Sequence, residues 1–298
     1  MNAVAIDAPA KVNLRLCILS REESGYHSLE SLFCMLSLSD RVEVRRGEPG
    51  VRIEVEGGID VGPPERNLAV RAARRFYAEL GQEPAVDLRL AKRIPSAAGL
   101  GGGSSDAAAV LRALDALHGG VFPRATLARM AIELGSDVPF FVCGSALALG
   151  WGRGERLLPL QPLPPRPVLV AHPGEAMPTA DAFRRVAELR GGAYAPRAAL
   201  IDPAALAGWD AVAALAANDF EPVVVERIPV LRDALDAMRA AGARIALLAG
   251  SGSSVFGVFD SDEDRDRAFM AVEALGMRCW RAETMDREPE IRSGSARS

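Results

Sequence analysis

Apolar and polar positions alternate early in the chain: Val12, Leu14, Leu16 and Ile18 fall between Asn13, Arg15 and Cys17, the period of a strand with one buried face. Val42 and Val44 lie among charges. After Gly50 the residues Val51, Ile53 and Val55 alternate with Arg52, Glu54 and Glu56, which predicts an antiparallel pair of strands. The period then changes. Asn67 opens a helix in which Val70, Ala73, Tyr77 and Leu80 recur at helical spacing, and Gly81 stops it. Val86, Leu88 and Leu90 return to alternation. Beyond Pro95 and a glycine-rich stretch, a second helix runs through Leu111, Leu114 and Leu117 to Gly119. A third follows Pro123, with Leu127, Met130, Ala131 and Leu134 on one face.

The proline-rich segment Pro159 to Pro167 is the expected boundary between two domains, residues 1–158 and 159–285. Past it, Val168 to Ala171 reads as a short buried strand. Pro229 and Ser261 each begin a helix, and Ser261 with Asp264 makes a capping-box-like start. Ile245–Ala249 and Val255–Phe259 read as strands on either side of a glycine turn. The tail, residues 286–298, is expected to fray. Antiparallel strands mixed with helices on one side make the class α+β rather than a doubly wound parallel sheet.

Composition narrows the partners. With 298 residues, 49% hydrophobic and 25% charged, the chain can build one large unit or two domains sharing a cleft. Its 35 Lys+Arg against 39 Asp+Glu give a net charge of −4, and the arginines are interleaved with acids, so no nucleic-acid partner is expected. Asp7 and Lys11 interrupt the first apolar residues, which argues against a signal peptide. The longest uncharged apolar-rich run, Val138 to Gly152, contains Pro139 and is shorter than the ~20 residues a spanning helix needs, so no membrane is expected either. Cys17, Cys34, Cys143 and Cys279 are far apart and read as reduced thiols of a cytoplasmic protein. His27, His118 and His172 are too scattered for a zinc site.

The strongest chemical signal is Pro95-Ser-Ala-Ala-Gly-Leu-Gly-Gly-Gly-Ser-Ser-Asp-Ala-Ala-Ala109. Gly99, Gly101, Gly102 and Gly103 let the backbone approach a ligand closely. Ser104, Ser105 and Asp106 then start a helix whose free N–H groups and dipole favour an anion. Strand, glycine loop and helix N-terminus in that order form a phosphate cradle; the alternative is a flexible turn before a well-capped helix. No Gly-Lys-Ser/Thr follows, and Ser104 stands where GxGxxG wants its last glycine, so this is neither a Walker A loop nor a Rossmann fingerprint. Gly250-Ser-Gly252-Ser-Ser254 reads equally as a second close-approach loop or a plain hairpin. Asp137 is a general base or a turn acid before Pro139. Lys11, at the head of a strand, is a functional cation or a solvated strand end. Gly25-Tyr26-His27 is a loop that suits either packing or a stacked ligand.

Together these pieces resemble the GHMP kinases, the family of galactose, homoserine, mevalonate and phosphomevalonate kinases. The glycine loop is similar to the family's phosphate loop. Further motifs in family order point to a branch acting on a cytidine-diphosphate-linked alcohol: Ala10-Lys-Val-Asn-Leu14, Gly25-Tyr-His27, Gly135-Ser-Asp-Val-Pro139, Ala171-His-Pro-Gly174 with Pro178-Thr179, Asn218-Asp219 and Gly250-Ser-Gly252. They run from about residue 8 to residue 260 and cover most of the chain. The resemblance implies a two-domain GHMP fold, with an N-terminal ribosomal-protein-S5-like ATP domain and a C-terminal ferredoxin-like α/β domain. It implies transfer of the γ-phosphoryl of ATP, with Mg²⁺, to a tertiary hydroxyl of the cytidine-linked molecule.

Residue by residue, the resemblance makes Asp137 the base that takes the hydroxyl proton and Lys11 the cation that holds the hydroxyl. Pro95, Gly99, Leu100, Gly101, Gly102, Gly103, Ser104 and Ser105 would wrap the ATP phosphates, with Ser105 also a metal contact. Asn67 and Lys92 match positions near the adenine. Tyr26, His27 and Phe183 match a cytosine pocket, Asn13 and Thr179 polar substrate contacts, and Gly250 with Gly252 a loop closing the cleft. Ser96-Ala97-Ala98 stands where the family often has more glycine, and Ser251 and Ser253 replace Thr and Ala; neither departure touches the chemistry. The chain would act as a monomer or weak homodimer. Two alternatives stay open: another GHMP small-molecule kinase, of homoserine or mevalonate type, or a GHMP-fold sensor without turnover. The cytidine motif, Gly25-Tyr-His27 with Phe183, speaks against the first, and retention of Lys11 and Asp137 against the second.

Overall fold

The computed structural model describes residues 2–21, 27–58, 62–191 and 205–294. Two long antiparallel strands, β1 (Ala3–Arg21) and β2 (His27–Arg46), form its spine, in register from Ala3 opposite Arg45 to Arg21 opposite His27. The register shifts between Pro9 and Lys11. Such a bulge re-aims the side chains that follow it. Before the shift Val4, Ile6 and Ala8 pack with the helical layer; after it Ala10, Val12 and Leu14 pack toward the second sheet. Lys11 and Asn13 therefore face away from that second sheet.

The chain continues through β3 (Gly50–Glu56), α1 (Leu68–Leu80) and β4 (Ala85–Ala91). The Asn67 side chain caps α1 by accepting a hydrogen bond from the Ala69 N–H at 2.9 Å, as its position predicts. The expected antiparallel pairing of the strand before Gly50 with the one after it does not form. Instead β4 lies between β2 and β3, antiparallel to the first and parallel to the second. Helix α1 carries the chain back to start β4 in the same direction as β3, and β4 takes the place beside β2. Alternation reports a half-buried strand but not its neighbour.

Next come α2 (Gly102–Leu117) and α3 (Arg124–Leu134), the latter burying the predicted Leu127, Met130, Ala131 and Leu134. Helix α2 starts at Gly102, two residues ahead of the expected Ser104, so two loop glycines belong to its first turn. Strands β5 (Leu147–Gly152) and β6 (Arg156–Pro159) extend the first sheet from β2.

The second half contains β7 (Pro167–His172), α4 (Thr179–Leu189), α5 (Trp209–Leu215), β8 (Ala217–Asn218), α6 (Glu221–Arg227), α7 (Val230–Ala240), β9 (Ile245–Leu248), β10 (Val255–Val258), α8 (Asp262–Glu273), β11 (Arg278–Glu283) and β12 (Ile291–Ser293). Its antiparallel sheet has the order β11-β7-β10-β9, a ferredoxin-like arrangement in which the last strand flanks the first. Pro229 and Ser261 precede helices as predicted, and Ser261 accepts the Asp264 N–H at 3.2 Å.

Three apolar layers result. One lies between the first sheet and α1–α3, another between the second sheet and the helices of the second half. The third joins the halves: Val12, Leu14, Leu32 and Leu147 meet Val168, Val170 and Phe256, with Leu163 of the proline-rich segment among them. Among the described residues no helix is long and apolar enough to cross a membrane.

The described part of the tail, residues 286–294, departs from expectation. Rather than fraying, Ile291–Ser293 pair antiparallel with Val4–Ile6. Arg112 donates to the Pro289 carbonyl at 2.8 Å, and Glu288 pairs with Arg112 at 3.4 Å and Arg124 at 3.0 Å. A polar segment with no apolar period still pairs through its backbone when a sheet edge offers unpaired N–H and C=O groups. Ending the chain after Asp286 should therefore lower stability by about 2 kcal/mol, the loss of several such bonds, read as a lower thermal unfolding midpoint. An unchanged midpoint would mean the tail contributes nothing to the sheet.

Candidate active site

A cavity of about 1320 Å³ opens between the two halves. Ten of the residues expected from sequence line it: Lys11, Asn13, His27, Gly99, Gly101, Asp137, Thr179, Phe183, Gly250 and Gly252.

At its centre the Lys11 ammonium lies 3.3 Å from Asp137 Oδ2 and donates to Asn13 Oδ1 at 2.8 Å. Asn13 donates in turn to Ser31 Oγ at 2.6 Å, and Ser31 Oγ to the Arg15 carbonyl at 3.1 Å. Every link holds the next in one orientation. The Phe33 ring lies 5.8 Å from the ammonium, so the cation has an aromatic wall as well as polar partners. The Lys11 side chain is 5% exposed and that of Asp137 31%, so the carboxylate faces the cleft while the ammonium backs it. Asp137 sits just beyond the end of α3 and ahead of the buried turn Val138–Val142, whose packing fixes it. A carboxylate presented to a cleft beside a buried ammonium can take a proton from an alcohol and neutralise the charge that develops.

Two glycine loops meet beside this centre. A Cβ on Gly99 would stand 2.0 Å from the Ala249 carbonyl oxygen, and one on Gly250 would stand 2.8 Å from the Gly99 carbonyl oxygen and 3.3 Å from Lys11 Nζ. Both residues have positive φ, 79° and 56°. The Ser254 N–H donates to the Ala98 carbonyl at 3.1 Å and the Lys11 N–H to the Leu100 carbonyl at 2.9 Å. The Gly250 segment is thus both a hairpin between β9 and β10 and a close-approach loop; the two readings of its sequence are compatible.

Beyond Gly101 the N–H groups of Gly102, Gly103 and Ser104 open α2 and have no partner within the helix. With the helix dipole they make an anion site. Ser105 Oγ is buried in the same turn without a hydrogen-bond partner. These groups fit a nucleotide triphosphate. Among the described residues no cluster of three or more His, Cys, Asp or Glu could hold a metal by itself. A Mg²⁺ ion here would be held mainly by phosphate oxygens, with the unpartnered Ser105 hydroxyl a protein oxygen that could join them, which is how Mg²⁺ commonly binds beside phosphates.

Several expected residues lie behind the cleft rather than in it. The Lys92 ammonium points into the interior, paired with Asp40 and, at 2.8 Å, with Asp106 Oδ2. Asp40 also accepts the N–H groups of Arg93 at 2.5 Å and Ile94 at 2.9 Å. Burial alone would lower the Lys92 ammonium, and the two carboxylates more than reverse that, leaving it above the ordinary lysine value. Burial pushes the Asp106 carboxyl up to about 7 against the pull of Lys92. A Cβ on Gly102 would stand 3.4 Å from Lys92 Nζ, so this buried group underlies the start of α2. Asn67 caps α1, and Leu100 is buried with its carbonyl on Lys11. Tyr26 lies outside the described residues.

At the other end of the cavity the His27 and Phe183 rings stack, centroids 4.6 Å apart and planes at 18°. Phe220 meets Phe183 edge-on at 4.8 Å. Thr179 and Ser251 share a hydrogen bond of 3.0 Å, linking the start of α4 to the Gly250 loop. Sequence reasoning missed Ser31, Phe33 and Phe220. Each sits in an ordinary strand or loop pattern, and only tertiary contact distinguishes it.

The match to known proteins follows this geometry. The model for the GHMP kinases N terminal domain matches residues 67–145, and that for the GHMP kinases C terminal matches residues 203–276. A 4-diphosphocytidyl-2-C-methyl-D-erythritol kinase from Anaeromyxobacter dehalogenans is 43% identical over 297 residues, covering 95% of this chain and 91% of its own. One from Geobacter sp. (strain M21) is 38% identical, covering 94% and 97%. A crystal structure of 4-(cytidine 5′-diphospho)-2C-methyl-D-erythritol kinase superposes with a TM-score of 0.78 at 39% identity, over 94% of this chain and 98% of that one. Homoserine kinase from Cytophaga hutchinsonii shares the fold, with a TM-score of 0.72 at 20% identity over 98% of both chains. Two family models that together span more than half of the chain, and relatives about 40% identical over nearly all of it, show that the chain belongs to the GHMP kinase family, beside its 4-diphosphocytidyl-2-C-methyl-D-erythritol kinases.

Proposed function

We propose that this chain transfers the γ-phosphoryl group of ATP to the C2 hydroxyl of 4-diphosphocytidyl-2-C-methyl-D-erythritol, a step of non-mevalonate isoprenoid biosynthesis. One observation carries the reading: the cavity that holds the Lys11–Asp137 pair also holds the His27–Phe183 stack. The first serves any alcohol acceptor. The second suits a flat heterocycle, which a homoserine- or mevalonate-type acceptor lacks.

Phosphoryl transfer asks for in-line placement and charge stabilisation more than covalent chemistry. Mg²⁺, when bound with ATP, neutralises phosphate charge. The first turn of α2 and the Gly99–Gly101 segment hold the triphosphate by backbone N–H groups. Asp137 accepts the acceptor's hydroxyl proton at its cleft-facing carboxylate. Lys11, fixed by Asn13, holds the acceptor oxygen and offsets the negative charge that grows on it. The buried chain Lys11–Asn13–Ser31 keeps that ammonium from swinging with the substrate.

The aromatic end needs one adjustment. At 4.6 Å between centroids His27 and Phe183 touch each other. A stacked layer occupies roughly 3.5 Å, so a cytosine lies on an outer ring face or enters after one ring moves. The site of action we propose is the cytoplasm, a reading supported by Cys34, Cys143 and Cys279, which form no disulfide among the described residues.

The direct test is phosphoryl transfer from Mg·ATP to the cytidine compound, with homoserine and mevalonate alongside. Selective phosphorylation of the cytidine compound is expected; turnover of either other alcohol in its place would refute the reading. Asp137→Asn should lower kcat about 10³-fold while nucleotide binding, measured by titration, stays within about threefold. Near-normal turnover would remove Asp137 as the base. His27→Ala should raise KM for the cytidine substrate about tenfold and leave KM for ATP within about twofold. Equal changes in both would take His27 out of the base-binding end.

A further inference from the structure

The motif Asn218-Asp219 has no task in the reaction as derived, and neither residue lines the cavity. Both are buried, and their bonds run in different directions. Asn218 closes β8, which pairs parallel with β1 at Leu16, and the Asp219 N–H donates to the Leu16 carbonyl at 3.0 Å. From this anchor the Asn218 amide donates to the carbonyls of Leu248 at 2.7 Å and Gly250 at 2.8 Å. Its Oδ1 accepts the Phe220 N–H at 2.9 Å. Asp219 Oδ2 accepts the Ile18 N–H at 2.7 Å and pairs with Arg190 Nη2 at 2.7 Å. Arg190 is the residue that caps the C-terminal end of α4, and its Nη1 donates to the Ile18 carbonyl at 3.1 Å.

We propose that Asn218 and Asp219 are positioning residues that set two walls of the cleft from one point on β1: Asn218 holds the Gly250 loop at the reacting centre, and Asp219 holds α4, with Thr179 and Phe183, at the nucleobase end. The inference rests on reading the cavity as the acceptor site of a cytidine-linked alcohol. A glycine-rich turn has little conformational preference of its own, so the placement of Gly250 against Gly99 and Lys11 must come from outside the loop. Two hydrogen bonds from Asn218 supply it, one to the Gly250 carbonyl in the turn and one to the Leu248 carbonyl at the end of β9 that leads into it. Helix α4 needs a different restraint, because the face that lines the cleft runs along it from Thr179 to Ala187. The charge-assisted bond at its far end stops the helix from pivoting. Phe220, next in the chain, carries the same anchor to the Phe183–His27 stack.

The two residues should fail differently. Asn218→Asp keeps an acceptor for the Phe220 N–H but turns a carboxylate toward two carbonyl oxygens, which opens the loop. It should lower kcat about a hundredfold, the cost of a misplaced reacting centre, with the Kd of cytidine diphosphate within about threefold. Asp219→Asn keeps an acceptor for the Ile18 N–H and loses the ion pair with Arg190. It should raise the Kd of cytidine diphosphate about tenfold, with kcat at saturating acceptor within about threefold. Thermal unfolding of each variant gives the folded fraction, and Asn218→Ser replaces Asn218→Asp if the latter does not fold. A split in this sense supports the proposal. Parallel loss in the same constants, a reversed split, or no change in either variant overturns it. Cytidine diphosphate binding does not depend on turnover. A parent protein that binds it but phosphorylates no cytidine-linked alcohol would refute the proposed reaction, and the Asp219 arm would then decide the positioning claim.

Discussion

Contact between two stretches of bare backbone holds this molecule's chemistry together. Gly99 lies so close to the Ala249 carbonyl, and Gly250 to that of Gly99, that no side chain fits at either position. One loop leads into α2 and its free N–H groups; the other joins β9 to β10. Their contact places the start of α2 with its free N–H groups, the Lys11 ammonium and the second sheet within one small volume. The apolar layer between the sheets gives that contact its rigidity, because Val12 and Leu14 of β1 belong to it while their neighbours Lys11 and Asn13 face the site.

Local readings of the sequence succeeded where a side chain acts on its own segment. Asn67 caps its helix, Ser261 caps another, and the face of α3 is the one its period announced. They failed where the outcome depends on a distant edge. The strands on either side of Gly50 look like partners, yet β4 comes between them, because alternation specifies burial and not adjacency. Residues 291–293 have no strand-like period, and the β1 edge recruits them by backbone pairing, with Arg292 also 3.6 Å from Asp7 of β1.

The functional residues divide along the same line. The glycine loop was readable from its own chemistry, since glycines before a helix imply close approach. The pairing of Lys11 with Asp137 was not, because no local pattern joins the first strand to a turn beyond α3. Only likeness to a family supplied that link, and the geometry puts the two side chains 3.3 Å apart. Lys92 shows the reverse. The family resemblance matched it to a position near the adenine, and its ammonium is paired in the interior with Asp40 and Asp106. A buried ion group of this kind adds little net stability, but with Asp40 also holding the N–H groups of Arg93 and Ile94 it defines where the chain leaves β4 and turns into the loop.

The placement of β12 has a consequence for how the chain is made. Strand β1 leaves the ribosome long before the strand completing its outer edge, Ile291–Ser293, and before its parallel partner β8, Ala217–Asn218. A nascent first half therefore carries an open sheet edge, and an uncovered apolar face at Val12 and Leu14, until the second half has followed. Such long-range closure slows folding and exposes surface that other chains can pair with. The order of synthesis thus makes the interval before the second half emerges the period when this protein is most open to aggregation and most dependent on chaperones.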